Sequence, residues 1–165
     1  MKKIVSIIVL LSVVSFSAFS QNKKEREALE KAKYDEAITA IEAKNFVIIP
    51  DSYESGGEVV SISDVALFLS CELTDIFMQG RIISGSSENY KMSIKSYEEK
   101  VDKKGNIVLS ISVTGSKFDS TIQIKIRSGS NYADVIITTK GNVTKFSGEL
   151  TPKAKSTYMN RSNFI

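Results

Sequence analysis

Ile107-Val108-Leu109-Ser110-Ile111-Ser112-Val113 is the stretch whose reading decides the fold. Ile107, Leu109, Ile111 and Val113 recur at every second position, with Val108, Ser110 and Ser112 between them. Successive side chains of a β-strand point to opposite faces, so this period gives one apolar face and one more polar face. Working outward, Ile122, Ile124 and Ile126 alternate with Gln123, Lys125 and Arg127. Tyr90, Met92 and Ile94 alternate in the same way with Lys91, Ser93 and Lys95. Further strands are expected at Phe46–Ile49, Glu58–Ile62, Val65–Ser70, Tyr132–Thr139 and Thr144–Leu150.

Turn signals separate these runs: Gly56-Gly57, Ser63-Asp64, Lys103-Lys104-Gly105-Asn106, Ser128-Gly129-Ser130-Asn131 and Lys140-Gly141-Asn142. Short strands joined by Gly/Asn turns argue for an antiparallel meander, a small barrel or sandwich, and no βαβ pattern interrupts them. Alternation alone leaves open which face lies inside. Membrane-barrel strands need about 9–11 residues and aromatic girdles at both interfaces. The runs here are shorter and their aromatics form no paired belts, so the apolar face is expected to point inward.

Before the strands, Asn22 with Glu25 makes a capping-box pattern, and Lys23–Lys44 carries good helix formers without Gly or Pro. Tyr34, Ala37, Ile38 and Ile41 form an i, i+3, i+4, i+7 stripe. Leu29 falls off that stripe among charged neighbours. The expectation is one helix whose C-terminal half packs on the domain and whose first turns project. Leu73–Ile83, with Leu73, Ile76, Phe77 and Met78, reads as an apolar stretch in a connection: an additional strand or a lid over a barrel end on one reading, an exposed binding loop on the other. Tyr97-Glu98-Glu99 reads as a bend. The organisation is therefore a leader at 1–20, a helix at 21–45, a β domain at 46–152 and a solvated tail at 153–165.

The leader is Lys2-Lys3, an apolar run Ile4–Val14, and small residues ending in Ala18-Phe19-Ser20. That is the layout of a cleavable secretory signal, with cleavage expected between Ser20 and Gln21, and after Ser17 as the alternative. A membrane-spanning helix takes about 20 apolar residues, more than this Ser-interrupted run offers. A lipid anchor would require cysteine at the cleavage point, and the one cysteine is Cys71. The chain is thus expected to be released in the periplasm or outside the cell, not lipid-anchored and without a membrane span once cleaved.

Cleavage leaves 145 of the 165 residues, enough for one domain with its own core. It removes Lys2 and Lys3 and no acid, taking the formal charge from +3 to +1. The apparent basicity belongs largely to the leader, which argues against a nucleic-acid partner. Cys71 follows Val65-Ala66-Leu67-Phe68-Leu69-Ser70 and precedes Glu72. That context suits a small buried hydrophobe, because a reactive thiol needs a cationic neighbour.

From Lys23 to Pro152 the chain resembles domain-of-unknown-function family 4251, exported proteins of Bacteroidetes-type bacteria. The resemblance rests on the charged helix, Asn45-Phe46-Val47-Ile48, Glu88-Asn89-Tyr90-Lys91-Met92, Lys103-Lys104-Gly105-Asn106 and Ser147-Gly148-Glu149-Leu150-Thr151-Pro152. It implies a helix plus a lipocalin-like β-barrel or half-barrel and carries no catalytic residues. Family members typically have a Gly- and Tyr-rich loop before the Asn-Tyr strand; here Leu73–Ile83 stands in its place. Asp119-Ser120-Thr121 resembles the short O-glycosylation motif of that bacterial group, making Ser120 a candidate acceptor.

The absence of histidine removes His-assisted nucleophiles and the usual zinc ligand sets. No Gly-rich phosphate loop opens a helix. No cofactor and no metal site is expected. The leading expectation is a non-enzymatic binding module whose open barrel end, near Leu73, Ile76, Phe77 and Met78, receives a small apolar ligand or an envelope protein's side chains. A barrel of about eight strands can equally be filled by its own side chains, which would make a structural or interaction protein of the envelope. A carboxylate-pair hydrolase is the third reading, since two acids suffice for glycoside cleavage.

Overall fold

The structure is a computed structural model that describes residues 23–158 and 164–165. The leader, the Ser20–Gln21 cleavage site and the Asn22 cap lie outside the described residues. Helix α1 (23–42) is followed by β1 (Asn45–Ser55), β2 (Glu58–Ser61), β3 (Phe68–Glu72) and β4 (Asp75–Gln79). A one-turn helix α2 (Arg81–Ser84) precedes β5 (Tyr90–Val101), β6 (Ile107–Thr114), β7 (Asp119–Ile126), β8 (Tyr132–Thr139) and β9 (Asn142–Pro152). A 3₁₀ turn, Lys153–Lys155, leaves β9.

Every strand pairs antiparallel with its neighbours, and β9 returns to β1 over Phe46↔Pro152 to Tyr53↔Phe146, closing the sheet. The result is a closed eight-strand barrel, with β2 as an extra strand on the C-terminal half of β1. The alternating faces set its inside. Ile107, Leu109 and Ile111 stand directly opposite Ile126, Ile124 and Ile122, and all are buried. Gln123 and Lys125, between them, are exposed. Phe46, Ile48, Leu69, Cys71, Ile76, Met78, Met92, Val113, Val135 and Leu150 complete a filled interior.

Irregularities adjust the period where the barrel must close. A bulge between Ile94 and Ser96 shifts the register of β5, so that Tyr97, opposite Ile111, joins the core cluster. Tyr97-Glu98-Glu99 is therefore strand and not a bend. A second bulge, between Pro50 and Ser52, sits on the β1–β9 seam.

Helix α1 behaves as its stripe requires: Ala37, Ala40 and Ile41 are buried, Tyr34 and Ile38 pack against them, and Leu29 projects at 57% exposure. It ends at 42, short of Lys44, because Lys44 takes a left-handed φ of 49° that turns the chain into β1. Other expected boundaries also move. Asp64 accepts a hydrogen bond from Ala66 N at 2.8 Å through its carboxylate and from Leu67 N at 3.1 Å through its carbonyl. Those bonds hold the turn that delays β3 to Phe68. The stretch Leu73–Ile83 contains the additional strand: its middle, Asp75–Gln79, is β4, with Ile76 and Met78 facing in, and Arg81–Ile83 begin α2.

The tail is not simply solvated. Tyr158 covers the buried ring of Phe68 at 4.5 Å, and Phe164 meets Phe77 edge-on at 5.2 Å. Ile165 N donates to Asn89 O at 3.0 Å while Lys91 N donates to Ile165 O at 3.1 Å. The apolar outer side of β3 and β4 explains this: Phe68 and Phe77 point away from the barrel and need cover.

Candidate binding site at the α2 end of the barrel

The two ends of the barrel are stopped very differently. At one end, α1 lays a helical face of Ala37, Ala40 and Ile41 across the mouth and is tied down along its length. Tyr97 Oη donates to Ile41 O at 3.2 Å, Leu73 N to Lys44 O at 2.8 Å, Lys33 Nζ to Glu149 at 3.2 Å and Lys155 Nζ to Glu36 at 2.7 Å. Lys44 Nζ also lies over the Tyr97 ring, 4.8 Å from its centre. This end is a broad, multiply anchored closure.

At the opposite end, α2 packs against β4 and across the mouth onto β9. Its one buried residue is Ile83, wholly inaccessible and part of the same packed cluster as Met78, Tyr90, Met92 and Phe146. Tyr53 and Phe118 border that cluster. No side chain caps the helix, and glycines flank it: Gly80 at φ 93° and Gly85 in the left-handed region at φ 69°. A Cβ on Gly80 would also run into the Leu67 side chain. Only glycine meets both demands cheaply.

Beyond α2 the chain is fastened by Glu88. Lys117 Nζ donates to both of its carboxylate oxygens at 2.7 Å, and Tyr90 Oη donates to Oε2 at 2.8 Å. Ser86 Oγ lies 3.0 Å from the same tyrosine hydroxyl, and the Tyr90 ring meets Phe118 edge-on at 4.7 Å. The Lys117 ammonium, then the Tyr90 hydroxyl, hold the Glu88 carboxyl below the usual carboxylate range. The Ser84 hydroxyl bonds within the segment, reaching Gly80 O at 3.1 Å and Ser86 O at 2.8 Å. Asn89, at its far end, accepts from Gly80 N at 3.3 Å.

The residues singled out in the sequence are not brought together. Leu73 is a 68%-exposed turn residue at the α1 end, held at φ 58°. Ile76 and Met78 are inside the barrel, Met78 opposite Tyr90 toward the α2 end. Phe77 is on the outer wall against Phe164, with Lys91 Nζ 5.7 Å from its ring centre. Ser120 stands opposite the buried Val113, is 5% exposed, and lies with its hydroxyl 2.6 Å from Thr139 Oγ1. A hydroxyl so placed is withdrawn from a glycosyl donor in the folded chain. Ile83, Glu88, Lys117 and Phe118 were not among the site residues expected from the sequence; the glycines at 80 and 85 are the one local signal that could have pointed to them.

Elsewhere on the outer wall several polar groups are paired. Asp51 accepts from Tyr132 Oη at 2.7 Å and Asp134 from Arg127 at 2.9 Å, while the Arg127 guanidinium stacks 4.7 Å from the Tyr132 ring centre. The displaced carboxyls are displaced downward: Glu88, as above; Asp102, mainly through Asn106; and Asp119, through Thr114 and Lys95. Among the described residues no group of His, Cys, Asp and Glu is placed to hold a metal ion, and no helix is long and apolar enough to cross a membrane. Burial pushes the Cys71 thiol up to about 12, so at neutral pH it is a protonated core group.

No family model and no curated protein matches the sequence. Among solved structures, the fold matches the crystal structure of a DUF4251 family protein from Bacteroides eggerthii DSM 20697 with a TM-score of 0.69. The two are 22% identical, and the match covers 79% of this chain and 94% of that one. The chain shares the fold of that protein, in agreement with the resemblance carried by its turns and strand edges.

Proposed function

We propose that the chain is an exported member of the DUF4251 family acting as a non-enzymatic binding module that takes an apolar group at the α2 end of its barrel. The observation that carries this reading is the stopper: one fully buried side chain, Ile83, on a four-residue helix between two glycines. Replacing Ile83 costs one side chain's burial, whereas opening the α1 end would strip a whole helix face. Met78 and Met92 in the cluster below it are unbranched and adaptable, which suits a ligand of loose shape.

Two further features support the reading. A general acid for glycoside cleavage needs a carboxyl raised toward neutrality, and the carboxyls that are displaced move the other way. The leader, Lys2-Lys3 with the apolar run and Ala18-Phe19-Ser20, points to release in the periplasm or beyond the cell without a lipid anchor.

The filled interior favours a second reading, a structural or interaction protein of the envelope that binds through its outer wall. The two separate in one experiment. Purified from an exporting host, the chain is examined by native mass spectrometry beside a thermal-shift panel of fatty acids and phospholipids. A recurrent adduct of acyl-lipid mass with a matching thermal gain supports binding at the α2 end. A clean apo mass and a flat panel overturn it in favour of the outer wall.

A further inference from the structure

We infer that residues 80–89 form a lid, that the site beneath it exists only when Ile83 leaves, and that its ligand is the end of an unbranched acyl chain. This rests on the binding reading above and adds how that site opens and how much it can hold.

The lid follows from how unevenly the segment is held. Within it, only Ile83 is buried completely, and the backbone bonds of its helical turn close on themselves: Ile83 N and Ser84 N donate to Gly80 O, and Gly85 N to Arg81 O, each at 3.0 Å, while at its far end Asn89 O accepts from Ile165 N at 3.0 Å. The side-chain bonds that leave residues 81–88 run to Lys117 and Tyr90. Gly80 and Gly85 bracket the turn at backbone angles that glycine alone adopts readily. A unit with one apolar anchor, one exposed ion pair and a glycine at each end of its helix opens well before the barrel does.

The size of the ligand follows from what lies below. Under the lid come Met78, Tyr90 and Met92, and then the close-packed isoleucines and leucine of β6 and β7, which have no room to yield. The space released is therefore about that of one Ile side chain, plus what the methionines give by changing rotamer. That admits a chain end and excludes a whole lipid. The headgroup would remain outside, near the Glu88–Lys117 pair at the rim.

The test places a reporter at the stopper. In Ile83→Cys the new thiol is labelled with a charged thiol reagent, and native Cys71, buried in the wall, is the internal reference. The new thiol should label at least about 100-fold faster than Cys71, as opening of the segment without the barrel requires. Adding Lys117→Ala should speed it a further two- to fivefold, roughly the value of an exposed ion pair, and leave Cys71 unchanged. Labelling of both thiols at one common rate overturns the lid. Because Ile83→Cys loosens the core, hydrogen exchange of the unaltered chain repeats the measurement at the amides of Ile83, Ser84 and Gly85 against those of Leu109 and Ile124. Exchange at one shared rate is the overturning result. Dodecanoate then tests the ligand: by holding the lid open it should accelerate labelling several-fold at the stopper alone. A working lid indifferent to dodecanoate refutes the acyl-chain site and leaves the lid standing.

Discussion

Gly148 faces Pro50 across the seam where β9 meets β1 and the barrel closes. A Cβ on Gly148 would come within 2.9 Å of the Ile49 carbonyl carbon and 3.0 Å of Pro50 Cα, both backbone atoms that cannot swing aside. Pro50 lacks an amide donor, which a central strand tolerates at a bulge, and the bulge brings the backbones together. Gly148→Ala should therefore lower the unfolding free energy by about 1–3 kcal/mol, the usual cost of overpacking. The urea midpoint reads it; an unchanged midpoint would show that the seam gives way freely.

Cys71 should be silent in the native chain and informative on unfolding. It is fully buried, and its thiol is pushed up to about 12 by burial first, with Lys44 lowering it and Glu72 raising it. Ellman's reagent should modify it only at the global unfolding rate. Cys71→Ser, which buries a hydroxyl among apolar neighbours, should cost about 1–3 kcal/mol. Fast labelling in native buffer would contradict the placement of β3.

The strap over the outer wall should matter to stability. Tyr158 sits on Phe68 and Phe164 on both Phe68 and Phe77, so removing either ring uncovers apolar surface of β3 and β4. Tyr158→Ala and Phe164→Ala should each destabilise by about 1–3 kcal/mol and increase binding of a hydrophobic dye. Dye binding equal to that of the unaltered chain would mean that the rings cover nothing.

Acid should weaken the fold through its turns. Asp102 is held well below the ordinary carboxylate range by Asn106 first, then by Lys104 N and Lys125, and Glu88 is held down by Lys117 and Tyr90. A carboxyl depressed in the folded state contributes stability above its unfolded value, about pH 4, and that contribution is lost as pH falls through the folded value. The urea midpoint should hold steady from pH 7 to about pH 5 and decline below about pH 4. Asp102→Asn should flatten part of that decline. The same decline in this variant would assign it to other carboxyls.

Much of the barrel was legible because its signal is local. The alternations at 107–113, 122–126 and 90–94 each reported an inward face, and a period of two survives whatever the strand pairs with. Where pairing supplied the reason, the reading failed. Asp75–Gln79 alternates too, but Phe77 occupies an outward position, and only the strap from the far end of the chain makes an outward aromatic comfortable. The shift that turns Tyr97 into the core is equally invisible, since a bulge is defined by the partner strand.

The candidate site was less legible than the fold. Met78 was picked out for its apolarity, but which way it points depends on register, and Leu73, five residues earlier, lies at the other end of the barrel. Ile83 looks like any isoleucine until α2 folds back over the mouth.

By itself the sequence determined the class of the chain: an amphipathic helix and an antiparallel β domain with its apolar face inward and no histidine chemistry. These follow from composition and short-range periodicity, which each segment carries alone. Only the tertiary structure decided that the sheet closes, that its interior is filled, and that one end rests on a single isoleucine latched by Glu88 and Lys117. Those depend on contacts between residues far apart in the chain, and no local pattern encodes which of them will meet.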